Sequence, residues 1–231
     1  MLSQLDRHDA PASLPIEPAI SLTPTIGEGF LGHLGLEVHR SATQWSLSPK
    51  LSEANASQFN LKLTSHCTVS DVEVTHQFML DPTHSVLCLS VSVHNLSDQA
   101  TLFIDNCATT LPLPDHLAEL EEVTGRWAYE FQNQRHAITR SAYVRENWTG
   151  RSSHHMNPAL TLFEKTASST NGDVLGVHLG WSGNHQMRIE SLADGRRMLQ
   201  AGELLRPREL ELEPGGEYQS PHLYLCHSRQ G

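Results

Sequence analysis

The chain has 231 residues, 38% of them hydrophobic and 18% charged, which is enough apolar character to bury a core and argues against disorder. Sixteen Lys and Arg against 26 Asp and Glu leave a formal charge of −10, a poor match for phosphate backbones or anionic lipid, so nucleic acid and membrane are excluded as partners. No run approaches the roughly 18 apolar residues of a membrane-spanning helix. The start, Met1-Leu-Ser-Gln-Leu-Asp-Arg7, has an acid at position 6 and no apolar stretch behind it, unlike a signal peptide, so a cytoplasmic location is expected.

In chain order, the first feature is proline. Pro11, Pro15, Pro18 and Pro24 make residues 8–26 a poor regular strand, and the spacing predicts an extended arm over 1–26 lying on the surface. Beyond it, 27–231 reads as one all-β domain. Val72–Leu80 alternates, and in Val86–His94 the residues Leu87, Leu89, Val91 and Val93 share one fully apolar face. Further strands are predicted at 60–65, 101–105, 108–113, 126–132, 137–145, 159–163, 174–181, 187–192, 196–205, 208–213 and 222–227. Asn95-Leu-Ser-Asp98, Asp194-Gly195 and Pro214-Gly215-Gly216 supply turn chemistry between several of them. One short helix is predicted over 115–122, capped by Asp115 and carrying Leu117 and Leu120. Many strands at short spacing with no βαβ rhythm point to a large two-sheet antiparallel sandwich.

The chemistry-bearing residues are read next. Cys67, Cys88, Cys107 and Cys226 are widely spaced and form no CxxC pair, so buried reduced thiols are expected and the sequons at Asn55, Asn95 and Asn147 are chance matches. Fifteen histidines stand out, but there is no HExxH and no spaced Cys/His set, and adjacent His154 and His155 on a strand would face opposite ways; no metal or cofactor is expected. There is no GxSxG, and Ser182-Gly-Asn reads as a tight turn rather than an activated nucleophile. Glu121 and Glu122, adjacent acids at a helix end, read as solvated. What remains is a polar and aromatic set of the kind that lines sugar sites: Arg126, Trp127, Arg151, Ser152, Ser153, His154, Asn157, Trp181, Asn184 and His185. The alternative is that Trp127 and Trp181 anchor the core while Asn157 and Asn184 serve turns.

Four segments, in order, carry a resemblance. Glu146-Asn-Trp-Thr-Gly-Arg-Ser-Ser-His-His-Met-Asn-Pro158 resembles the SRRGxSSHxxNP segment of glycoside hydrolase family 36 α-galactosidases. Gly172–Asn184 is similar to that family's GEVYGFxLxYSGN, Thr124–Arg135 to its xGxWxRExxxxR, and Leu212–Pro221 to its LEPGExFxTP. Trp181-Ser-Gly-Asn-His185 and Gly27-Glu-Gly-Phe30 look closest to bacterial raffinose-type members. The resemblance implies a galactose-mutarotase-like β-supersandwich, followed in the family by a (β/α)8 barrel that carries both catalytic aspartates of a retaining mechanism. The barrel's motifs are absent here, as is the family's early Tyr-Trp-Gly segment, so no catalytic residue is expected in this chain. The implied role is a non-catalytic domain that packs on its own barrel and supports a homo-oligomer, a tetramer in the family, acting on galactosides such as raffinose or melibiose. Arg151, Ser152, Ser153, His154, Asn157, Trp181 and Asn184 are then expected at the barrel or subunit interface. Leu5-Asp6-Arg7 is similar to an arm in relatives where the aspartate reaches the galactose pocket, which implies substrate binding by Asp6. The alternatives are a free-standing carbohydrate-binding module and a purely structural interaction domain.

Overall fold

The computed structural model describes residues 18–231, and these form two large sheets. The smaller, six-stranded sheet has the order β1 (Leu36–His39), β6 (Leu102–Leu113), β13 (Arg197–Glu203), β12 (His185–Ser191), β9 (Tyr143–Asn147), with β14 (Leu210–Leu212) also paired to β6. The larger, ten-stranded sheet runs β2 (Lys50–Ala56), β3 (Asn60–Cys67), β4 (Val72–Asp81), β5 (Val86–Asn95), β16 (Leu223–Ser228), β11 (Val174–Leu179), β10 (Ala159–Glu164), β7 (Leu117–Arg126), β8 (Tyr129–Ala137), with β15 (Glu217–Gln219) also on β5. Every ladder between these strands is antiparallel. This is the all-β, two-sheet sandwich the alternation predicts.

The interior divides into two apolar clusters. Leu120, Leu162, Leu179, Met187, Ile189, Leu199 and Leu223 pack in one, and Leu36, Val74, Val91, Val93, Ile104 and Leu212 in the other. β5 spans both: Leu89 enters the first cluster and Val91 and Val93 the second, so its predicted apolar face is buried except at Leu87, which is partly buried against the first cluster. Each fully buried Leu or Val side chain stabilises the sandwich by about 1.5–3 kcal/mol before entropy is counted.

Several local readings are corrected. The predicted helix over 115–122 is instead strand β7. Leu120 pairs with Leu162 and Glu119 with Phe163, but Glu164 pairs with Leu117, so one extra residue bulges out of the strand. That bulge shifts the side-chain phase and puts Leu117 and Leu120 on the same buried side, which imitates helical spacing. Strand β2 was not predicted because all seven of its residues are exposed; it forms through its ladder with β3 and has no alternation to betray it. Segments 101–105 and 108–113 are one strand, β6; the predicted 126–132 strand instead spans the end of β7, a two-residue turn and the start of β8, and the predicted 137–145 strand is broken between the end of β8 and the start of β9.

The described part of the arm is built into the fold. The Thr110 N–H donates to Leu22 O, the Gly35 N–H to Pro24 O and Thr25 Oγ1 to Leu47 O, and Thr23 to Thr25 are buried rather than lying on the surface. Three cysteines are buried as expected, but Cys226 is exposed. Burial pushes the Cys107 thiol up to about 12. At Cys67 burial also acts to raise the pKa, but hydrogen bonds from the Ser48 backbone and from Ser70 outweigh it and the value is lowered.

Candidate functional site

The residues singled out from sequence meet in loops at one end of the sandwich, held by side chains of β9. In this edge strand Tyr143, Arg145 and Asn147 alternate onto one side. Asn147, 1% exposed, is the hub of the loops. Its Nδ2 donates to Arg151 O (2.9 Å) and Gly183 O (3.2 Å), and its Oδ1 accepts from the Thr149 N–H (3.3 Å) and hydroxyl (2.7 Å). One amide therefore joins segment 148–151 to segment 181–184. The contact to Thr149, two residues on, also explains why a buried Asn reads as a sequon; Asn95 does the same with the Ser97 N–H.

Arg145 is buried beneath the same loops. Its Nη1 lies 2.9 Å from Glu122 Oε2, and its Nη2 donates to Val123 O (2.8 Å) and His155 O (3.0 Å). Glu122 also accepts from the Tyr143 hydroxyl (2.7 Å) and lies 3.2 Å from His136 Nε2. Burial, then the Glu122 hydrogen bond, push the Tyr143 phenol well above its ordinary value. Glu122 is thus not a solvated acid at a helix end; it is the counter-ion of the site's buried guanidinium. His185 is fully buried, with Nδ1 3.0 Å from Gly183 O, so Nδ1 donates there. Burial holds its pKa below the ordinary value, and the nearby Arg145 charge acts in the same direction.

On this base the loops present the predicted set. Ser152, Ser153, His154 and Asn157 line one cleft of about 310 Å³ together with Val123, Phe131 and Pro158. Arg126, Trp127, Ser153, His154 and His155 line a second of about 640 Å³. His154 and His155 lie in a loop, not a strand. The Ser152 N–H donates to Ser182 O at 2.6 Å, and Asn184 Oδ1 accepts the Gly150 N–H at 2.8 Å, so the two loops are cross-braced. Arg151 is exposed and enters through its carbonyl. Trp181 lies over Gly183, where a Cβ would come within 2.7 Å of Nε1; the glycine lets the indole lie flat on the turn. Neither Trp127 nor Trp181 is a core anchor, since both are exposed. Asn157 does serve a turn, its Oδ1 accepting the Ala159 N–H, and it also borders the cleft. Asp6 lies outside the described residues.

Sequence reasoning missed Tyr143 and Arg145, and it read Glu122 as a solvated acid and Asn147 as a chance sequon rather than as parts of the site. Their signal was present as polar residues at alternate positions, 143, 145 and 147, on the inward face of a strand. The set has the hydrogen-bonding groups to hold a polar partner. Among the described residues there is no group of three or more His, Cys, Asp or Glu fit to hold a metal ion.

The chain matches the Glycosyl hydrolase family 36 N-terminal domain over residues 2–213. It is 34% identical over 229 residues to the Alpha-galactosidase of Escherichia coli, covering 99% of this chain and 32% of that protein. It is 28% identical over 171 residues to Alpha-galactosidase Mel36A of Lactobacillus acidophilus, covering 74% of this chain and 23% of that protein. The chain thus spans a third or less of the length of these relatives. In structure it is similar to the GH36 alpha-galactosidase AgaA from Geobacillus stearothermophilus (TM-score 0.82, 20% identity, 90% of this chain and 32% of that one). The galactosidase domain of the alpha-galactosidase-sucrose kinase AgaSK gives the same values and likewise supports the fold. With one family model covering most of its length, the chain belongs to the glycosyl hydrolase family 36 N-terminal domain.

Proposed function

We propose that this chain is the non-catalytic β-sandwich domain of an enzyme that hydrolyses terminal α-galactosyl residues of oligosaccharides such as raffinose or melibiose. The observation that carries this reading is the identity to the Escherichia coli Alpha-galactosidase along nearly the whole chain, combined with a coverage of only 32% of that protein. A catalytic (β/α)8 barrel then follows this domain, and the enzyme is a cytoplasmic homo-oligomer. The site geometry supports a supporting role. The loops 147–158 and 181–185 are fixed from beneath by Asn147 and Arg145 while Arg151, Ser153, His154 and Trp181 stay exposed. Pre-paid rigidity of this kind suits a surface that docks against barrel or subunit. Arg151, Ser152, Ser153, His154, Asn157, Trp181 and Asn184 form that interface, residues 1–26 an arm, and Asp6 a ligand to galactose hydroxyls.

The test is turnover of a chromogenic α-galactoside by the 231-residue chain and by the full product of its gene. The reading expects none from the chain and turnover from the full product. Activity that stays with the chain through further purification, or an inactive full product, contradicts it. Asp6→Ala in the full product should lower kcat/KM about tenfold or more with little change in stability, as loss of a charge-assisted substrate contact does.

A further inference from the structure

The β7–β8 hairpin presents aromatic rings that no part of the described fold covers. Trp127 is 84% exposed, Tyr129 61% and Phe131 74%. Arg126 pairs with Tyr129, so only Trp127 and Ala128 turn the chain. The turn is held in a set shape. Ala128 sits at φ +64 and its N–H donates to Glu130 Oε1 at 2.7 Å. Gly125, at φ +136, approaches the facing strand so closely that a Cβ would lie 2.3 Å from Tyr129 O. Phe131 adopts φ +55, a region a bulky side chain rarely occupies. Strained backbone that leaves large rings in water is the pattern of a binding surface rather than of a structural turn.

Between this hairpin and the loop 153–155 lies the open cleft of about 640 Å³, a size typical of small-ligand sites. Its lining is selective. Trp127 and Tyr129 offer ring faces, Gln132 and Gln134 offer amides that both donate and accept, and Arg126 offers a guanidinium. No carboxylate lines it, so it is not built for a cation. One guanidinium beside two imidazoles, His154 and His155, on a chain of net charge −10 is not built for a polyanion. Rings plus uncharged donor–acceptor pairs fit a neutral polyhydroxylated ring, with its C–H face on an aromatic and its hydroxyls on the amides. Galactose suits this well, because its axial 4-hydroxyl leaves a continuous C–H patch on the opposite face.

We propose that this cleft is a second, non-catalytic binding site for α-galactosyl oligosaccharides, with Trp127 and Tyr129 stacking on the sugar and Gln132, Gln134 and Arg126 meeting its hydroxyls. The galactosyl identity of the ligand rests on the function proposed above; the cleft and its preference for a neutral sugar do not. The Ser153–His155 wall of this cleft belongs to the face proposed above to meet barrel or subunit, so in the full product the sugar lies at the margin of that contact, on the hairpin side.

The experiment is calorimetric titration of raffinose into the 231-residue chain, its Trp127→Ala and Gln134→Ala variants, and, as a control ligand without galactose, sucrose. The site predicts saturable raffinose binding, weakened at least fivefold by either substitution, with sucrose binding more weakly. Because Trp127 is exposed, the variant should keep the parent's thermal melt. No saturable raffinose binding, or binding unchanged in Trp127→Ala, overturns the proposal. So does a Trp127→Ala variant that alters elution on gel filtration but not sugar binding, which would make the face a contact between copies. Turnover by the full gene product is measured in parallel. Normal turnover without binding to the chain removes this site and leaves the α-galactosidase reading standing, whereas absent turnover counts against that reading alone.

Discussion

Asn147→Ala is the most informative single perturbation of the site. The side chain makes four hydrogen bonds, two given to Arg151 O and Gly183 O and two taken from Thr149. A net hydrogen bond contributes about 1 kcal/mol, and a buried partner left unpaired costs more. Thr149 and Arg151 are exposed and can turn to water, whereas Gly183 is half-buried, so the total should be about 2–3 kcal/mol rather than the sum of four full terms. For a chain of this size each kcal/mol lowers the melting temperature by about 2–4 °C. Asn184→Ala is the internal control. It removes only the bond to the Gly150 N–H on an exposed loop and should cost about 1 kcal/mol or less. Urea unfolding gives both values, and hydrogen exchange locates the damage: the Thr149, Gly150 and Ser152 amides should exchange faster in Asn147→Ala, while β5 keeps its protection. A loss below about 0.5 kcal/mol with unchanged exchange in these loops would refute the claim that Asn147 holds them.

Three further outcomes follow from the same structure. Burial lowers the His76 pKa from its ordinary 6.5 to about 4, with Thr23 Oγ1 3.1 Å from its Nε2; the unfolded chain therefore binds this proton first, so stability is full above pH 6.5 and falls as the pH drops towards 4, by up to about 3 kcal/mol, and His76→Gln should flatten that part of the urea-derived stability curve. Arg145→Ala strands Glu122 and the Val123 and His155 carbonyls and should cost about 3–5 kcal/mol, with Arg145→Lys recovering only part because one ammonium cannot reach all three partners; a loss under 1 kcal/mol in the alanine variant would contradict the buried pairing. A thiol reagent should label one cysteine per native chain, Cys226, and none in Cys226→Ser; a second fast thiol would show that one of the buried three is accessible.

What the sequence made legible follows from where burial is one-sided. The apolar face of β5 and the many short strands read directly because alternation records which side meets the core. β2 did not, since an edge strand with both faces in water leaves only its ladder to define it. β7 misled because the bulge at its start restores a spacing that sequence alone assigns to a helix. At the site, exposed Ser, His and Asn residues in loops drew notice, while of the two residues that hold those loops Asn147 reads only as a chance sequon and Arg145 carries no motif at all. Their partners are carbonyls of residues such as Gly183 and His155, and main-chain acceptors carry no side-chain signature.

The central claim, that this end of the sandwich is built to meet the rest of an α-galactosidase, is tested most directly by hydrogen exchange of the 150–157 and 181–184 amides. The measurement compares the isolated 231-residue chain with the full product of its gene. The account predicts markedly slower exchange in these two segments in the full product, with the β5 amides unchanged. Equal exchange in both proteins would contradict it.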